Sequence, residues 1–142
     1  MNIAFFLTPR QEVKSLYDDN TFRKGMDLMT REGFAVVPVT TRDNRYLGVV
    51  SATDFLIHTY DGDIDEEGNI KTRSAKDVYI RDIMKTSKYL PVSIFADFSE
   101  LADKITTQNF VPVVDSTGAF IGIVTRTSYL EYYGKHIKET EK

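Results

Sequence analysis

The chain carries one pattern twice. Phe34-Ala35-Val36-Val37-Pro38-Val39 leads to Gly48-Val49-Val50-Ser51-Ala52-Thr53-Asp54, and Asn109-Phe110-Val111-Pro112-Val113-Val114 leads to Gly122-Ile123-Val124-Thr125-Arg126-Thr127-Ser128. Pro38 and Pro112 are 74 positions apart, as are Gly48 and Gly122. Upstream of each pattern lies a helical stripe: Phe22, Met26 and Met29 in the first copy, Phe98, Ala102 and Ile105 in the second, 76 apart. The shift from 76 to 74 with order intact is what divergence of a duplicated unit leaves behind. At 142 residues in all, each half is too small to bury a large core alone, so one shared core is expected.

Composition narrows the function. With 18 Lys and Arg against 21 Asp and Glu, the net charge of −3 argues against nucleic acid, whose phosphates require a basic surface. The absence of cysteine removes disulfides and thiolate chemistry. No apolar run approaches the ~20 residues of a membrane span. Ile3-Ala4-Phe5-Phe6-Leu7 is too short for a signal sequence and lacks a basic flank, so a cytoplasmic protein is expected.

The local patterns predict alternating helices and strands. Asp18, Asp19 and Asn20 are N-cap candidates for a helix that Gly33 stops. Val36–Val39 and Tyr46–Val50 read as strands around a turn at Thr41–Asn44, and Ser51 opens a helix through about Thr59. In the second copy, Tyr79–Thr86 reads as a short helix and Leu90–Ile94 as extended, with Asp97 near the next N-cap. Val111–Val114 and Phe120–Val124 read as strands, and a last helix starts at Thr125 and ends at Gly134. Residues 61–77, acidic and carrying two glycines, read as a linker, and 135–142 as a frayed charged tail.

Each copy ends its second strand in hydroxyl residues at a helix start. A helix N-terminus offers backbone N–H groups and partial positive charge to a phosphate, and Ser51, Thr53, Thr125 and Thr127 can add hydroxyl donors. A carboxylate there, Asp54, suits the diol of a sugar. Arg126 can clamp a phosphate through its planar fork. The plainer alternative is that Ser, Thr and Asp simply cap helices. Two such corners at matched positions favour a ligand of nucleotide shape.

These residues resemble the CBS domain, whose pattern is a helix, a hydrophobic segment ending in Pro, and then Gly-x-x-Ser/Thr-x-Ser/Thr-Asp entering a helix. The first copy matches in full, and the second up to Ser128, which stands where the family has its acid. Tyr79-Ile80-Arg81-Asp82-Ile83-Met84 is similar to the lead-in of many such repeats. The resemblance implies an α+β fold of two repeats, each a small sheet with flanking helices, packed with pseudo-twofold symmetry. Their boundaries are 1–60 with the N-terminal segment and 78–134. It implies an adenine nucleotide in a cleft between the repeats, AMP, ADP, ATP or cyclic di-AMP, with no cofactor required. Asp54 takes the ribose beside Ser51 and Thr53. Ala35, Val36, Asn109 and Phe110, ahead of Pro38 and Pro112, face the adenine. Thr125, Arg126 and Thr127 form a second pole, which with Ser128 is either empty or takes another part of a larger ligand. The family's habit of pairing through helices implies a homodimer, and a regulatory role implies a protein partner not named by the sequence.

Competing signals are weaker. Asp61, Asp63 and Asp65 open like a calcium loop, but Glu66 and Thr72 stand where the required Gly and bidentate Glu belong. His58 and His136 lack the neighbours of a metal or catalytic site. Tyr129, Tyr132 and Tyr133 at helical spacing are core or an association face. A small nucleotide hydrolase would need a metal cluster or general base that the pattern lacks. A structural adaptor with vestigial clefts is the other reading, and Ser128 favours it.

Overall fold

A computed structural model describes residues 2–72 and 77–140. A 3-10 turn at Ile3–Phe6 leads to β1 (Thr8–Pro9), another turn, β2 (Leu16–Tyr17) and α1 (Phe22–Glu32). Next come β3 (Val36–Thr40), β4 (Tyr46–Ser51), α2 (Ala52–Thr59), β5 (Tyr60–Ile64) and β6 (Ile70–Thr72). The second half holds α3 (Ile80–Ile83), β7 (Val92–Ser93), α4 (Phe98–Ile105), β8 (Phe110–Val114), β9 (Phe120–Thr125) and α5 (Arg126–Thr140). This is the α+β alternation that the repeat predicts.

The chain divides into two compact units: Ser15–Asp43 with Leu47–Lys88, and Met1–Lys14 with Asn44–Tyr46 and Tyr89–Lys142. The first holds the sheet β2-β3-β4 and the hairpin β5-β6; the second holds the sheet β1-β9-β8-β7. In the first, β2 lies parallel to β3 with Leu16 opposite Val39; in the second, β7 lies parallel to β8 with Val92 opposite Val113. Leu16 and Val92 are 76 apart and Val39 and Val113 are 74 apart, so the repeat is preserved residue by residue in the sheets.

Each unit has its own apolar cluster, not one shared core. Leu16, Phe22, Val37, Val39, Val50, Phe55, Ile80 and Ile83 belong to one, and Ile3, Phe6, Val92, Leu101, Val111, Val113 and Val124 to the other. Two small cores are possible because each recruits a lead-in from elsewhere in the chain. Ile80–Ile83, ahead of the second copy, packs into the first copy's core. Ile3–Phe6, ahead of the first copy, packs into the second copy's core. The two lead-ins are themselves a repeat at offset 77: Ile3 and Ile80 are 1% and 0% exposed, and Phe6 and Ile83 are buried too. The expected boundary at residues 1–60 therefore differs from the physical one, since the N-terminal segment packs with the second repeat.

The lead-ins also add an edge to each sheet. Thr8 pairs with Ile123, and Lys85 with Val49. These are the same pairing under the repeat, at offsets 77 and 74. A β-carbon on Gly48 would overlap the Lys85 carbonyl oxygen, and one on Gly122 the Thr8 carbonyl oxygen. Close backbone approach thus accounts for both glycines of the repeated pattern.

Several local expectations are corrected. Thr21, not Asp18, Asp19 or Asn20, caps α1, its hydroxyl accepting the Lys24 N–H at 3.1 Å. Asn20 is buried and accepts the Tyr17 N–H at 2.8 Å, holding the turn before the cap. Gly33 ends α1 as expected, with φ 69° and its N–H on the Met29 carbonyl at 2.9 Å. The helix expected over Tyr79–Thr86 is a single turn. Gly134 does not end α5, which runs on to Thr140; a single glycine costs a helix only about 1 kcal/mol. Of the expected linker, residues 61–64 and 70–72 pair as strands, while 73–76 lie outside the described residues. Tyr129 and Tyr132 pack against Phe98 and Phe6, at centroid distances of 5.3 Å each, and Tyr133 is exposed. Among the described residues no helix is long and apolar enough to cross a membrane.

Candidate ligand-binding corners

The two middle strands explain why a proline recurs. A proline in a strand lacks one ladder donor and suits a place where no neighbour needs it. β2 reaches only Val39 and Thr40 of β3, and β7 only Val113 and Val114 of β8. Pro38 and Pro112 lie just before those contacts, buried, where the short strands do not reach. Ala35 and Val36, and Asn109 and Phe110, occupy the stretch ahead of each proline. Ala35 and Asn109 are exposed, Val36 half-buried and Phe110 buried. Each stretch thus sets an exposed residue beside an apolar one at the strand start, a surface against which a flat purine could lie.

In the first corner, Ser51 caps α2. Its hydroxyl accepts the Asp54 N–H at 3.2 Å, and Asp54 Oδ2 accepts from the Ser51 N–H at 2.9 Å and the Ser51 hydroxyl at 3.0 Å. This is a reciprocal capping box. The other oxygen, Oδ1, faces Lys85 Nζ at 3.7 Å. The Ala35 carbonyl accepts the Ala52 N–H at 2.9 Å, tying the strand edge to the helix start, and Thr53 is exposed on the first turn. Capping and ligand binding are compatible here, because capping uses one carboxylate oxygen.

The second corner is the neutral version. Thr125 Oγ1 accepts the Ser128 N–H at 3.1 Å, and the Ser128 hydroxyl donates to the Thr125 carbonyl at 3.0 Å. Thr127 is exposed. Arg126 is already engaged: Nε donates to the Ile105 carbonyl at 3.0 Å, Nη2 to the Thr106 carbonyl at 3.2 Å and Nη1 to Asn109 Oδ1 at 3.0 Å. Its cation closes the C-terminus of α4, where orphan carbonyls and the helix dipole favour positive charge. That takes three of its five N–H donors. Its counterpart in the first copy is Ala52, which instead borders an apolar cavity of about 500 Å³ with Met26, Met29, Phe34, Phe55 and Leu56.

Two residues absent from the sequence expectations belong beside these corners. Tyr89 adopts φ 56°, unusual for an aromatic residue. Its ring lies 4.8 Å from that of Phe110, its hydroxyl accepts the Asn109 N–H at 3.3 Å, and its carbonyl accepts the Tyr46 hydroxyl at 2.6 Å. Burial, then the neighbouring Tyr89, pushes the Tyr46 hydroxyl above the usual tyrosine range and keeps it a donor. The second is Lys85. Nothing in the sequence pattern marks Tyr89; comparing the lead-ins at offset 77 would have pointed to Lys85 as the counterpart of Thr8. Among the described residues no cluster of three or more His, Asp and Glu could hold a metal.

Comparison with known proteins places this arrangement. Among solved structures, a CbpB in complex with c-di-AMP superposes with a TM-score of 0.83 at 24% identity, covering 99% of this chain and 89% of that one. A CBS domain protein of Streptococcus pneumoniae TIGR4 superposes at 0.78 with 27% identity, over 94% and 87%. CBSX2 in complex with AMP does so at 0.71 with 24% identity, over 96% and 98%. A homoserine O-acetyltransferase of Methanococcus vannielii is 26% identical over 113 residues, 78% of this chain. The chain spans about a fifth of that curated relative, 21% of its length. The family model of the CBS domain matches residues 6–60 and again 80–135. With both repeats matched, the chain belongs to the CBS domain family, as a tandem pair.

Proposed function

We propose that this CBS pair is a regulatory module that binds an adenine nucleotide, AMP, ADP, ATP or cyclic di-AMP, in the cleft between its repeats. It reports the ligand to a protein partner. One observation carries the reading: each copy sets the exposed start of a strand against a hydroxyl-capped helix start, and in the first copy a buried carboxylate stands beside it. Proteins of this fold hold c-di-AMP in one case and AMP in another. Asp54 is assigned to the ribose, Ser51 and Thr53 to its surroundings, and the stretches ahead of Pro38 and Pro112 to the base. A ligand that binds one conformation of the module better than another shifts the population toward it, which is how such a module changes a partner's state.

Association as a homodimer belongs to the same proposal. Leu56 on α2 and Leu130 on α5 are repeat counterparts, 67% and 64% exposed, and Tyr133 is exposed near the latter. The second reading, an adaptor with vestigial clefts, is favoured by Ser128 alone.

Asp54→Ala tests the assignment. Loss of a charge-assisted hydrogen bond to the ribose lowers affinity for a ribose-containing ligand by about 10- to 100-fold in titration calorimetry. Asp54→Asn, which keeps a side-chain acceptor at the helix start, controls for loss of the cap. Unchanged affinity in both variants removes Asp54 from the site.

A further inference from the structure

The charge at the first corner comes as a pair. Lys85 Nζ lies 3.7 Å from Asp54 Oδ1, with the lysine side chain 51% exposed and the carboxylate side chain 7%. Offset 74 carries Asp54 to Ser128, and offset 77 carries Lys85 to Thr8. Thus the second copy has two hydroxyl residues where the first has a carboxylate and an ammonium. Both members are changed together, although the backbone pairing around them is the same in both copies.

The lysine is fixed at its backbone and half-exposed at its side chain. Its N–H and carbonyl are fixed to Val49 at 2.8 and 3.0 Å. A cavity of about 180 Å³, lined by Asp54, Ile57, His58, Asp82, Ile83 and Lys85, lies beside the pair. At 3.7 Å the contact is an ion pair beyond hydrogen-bond range, and a half-exposed pair of this kind is weak. Arg126, the cation that the sequence pattern nominates for phosphate, is committed to the end of α4.

Building on the nucleotide reading, we infer that Lys85 is the residue that reads the phosphate and so sets specificity. In the free protein its ammonium covers Asp54. When a nucleotide binds, the ribose hydroxyls donate to Asp54 and Lys85 turns to the phosphate oxygens. A bare nucleoside must displace the same ammonium without offering it a new partner, so this corner discriminates AMP or a cyclic dinucleotide from adenosine.

The test is calorimetric titration of the wild-type chain and its variants with AMP, cyclic di-AMP and adenosine. Wild type prefers AMP over adenosine. Lys85→Met lowers that preference at least about tenfold, the size of one hydrogen bond between charged groups, through AMP rather than adenosine. Lys85→Arg retains it, and Lys88→Met, a change at an exposed lysine nearby, leaves it unaltered. Asp54→Ser/Lys85→Thr reproduces the pair of the second copy and loses the preference while melting as a folded protein. Retention of the preference in Lys85→Met, or its loss in Arg126→Met alone, overturns the inference. Equal binding of AMP and adenosine by wild type also overturns it while leaving the nucleotide reading intact. Binding of none of the three ligands overturns the inference, and extending the titration to ADP and ATP without binding ends the nucleotide reading as well.

Discussion

Ile3→Ala, a change at the third residue of the chain, should destabilise the protein as much as a mid-core truncation. A terminal residue is ordinarily tolerant of change because little is packed on it. Ile3 is 1% exposed and clusters with Phe6, Val92, Leu101, Val111, Val113 and Val124. Removing three buried carbons and leaving a cavity costs about 2–5 kcal/mol. Ile80→Ala, its counterpart in the other core, should cost a similar amount, since Ile80 is 0% exposed among Leu16, Phe22, Val37 and Phe55. Chemical denaturation of both variants checks this. A wild-type midpoint for Ile3→Ala contradicts the packing of the N-terminal lead-in onto the second repeat.

Gly48→Ala and Gly122→Ala are expected to cost about 3 kcal/mol each, an overpacking penalty joined to loss of sheet-edge hydrogen bonds. The added carbon at Gly48 would overlap the Lys85 carbonyl oxygen and lie 3.0 Å from Thr86 Cα, both backbone. At Gly122 it would overlap the Thr8 carbonyl oxygen and approach Leu7 Cδ1 at 3.0 Å. Backbone cannot rotate aside as a side chain does. Relief requires moving the lead-in strand away, which at Gly48 breaks both hydrogen bonds between Val49 and Lys85. Gly25 provides the contrast. A carbon there meets Ile80 Cδ1 at 2.5 Å and Phe55 Cζ at 2.8 Å, both side-chain ends, so Gly25→Ala should cost less than Gly48→Ala. Thermal melting of the three variants ranks them; a milder effect at Gly48 than at Gly25 would count against the close-approach account.

Both results depend on the lead-ins, whose packing partners the sequence concealed. β3, β4, β8 and β9 were legible because buried strands leave unbroken apolar runs, and α2 because Ser51 and Asp54 form a capping pair with a chemical signature. Ile3–Phe6 is four residues long, and its kinship with Ile80–Ile83 rests on two apolar positions at a different offset from the rest. β2 is two residues long, too short for any period to register, whereas β7, equally short, falls within the stretch Leu90–Ile94 that reads as extended. The hairpin β5-β6 is acidic and glycine-bearing, so composition alone reads it as a loop, whereas backbone pairing makes it strands. One core was expected because half a chain is small; two form because each borrows a segment.

The candidate site divides along similar lines. Ser51, Asp54, Pro38 and Pro112 were legible because their roles follow from local chemistry at fixed spacing. For Arg126 the sequence did not foresee the partners it has in the fold, the carbonyls of Ile105 and Thr106, about 20 residues distant and neighbours only in the folded chain. Tyr89 was invisible for the same reason, positioned by its contact with Phe110, whereas Lys85 is marked only by comparing the lead-ins at offset 77.

The measurement that bears most directly on the account is the melting temperature of the purified chain with AMP, ADP, ATP and cyclic di-AMP, each paired with its guanine counterpart. A ligand at 100 times its dissociation constant adds about 2.7 kcal/mol to stability. The account predicts an upward shift with at least one adenine ligand and none with its guanine analogue. Melting curves unmoved by every adenine nucleotide, or moved equally by the guanine series, would contradict it.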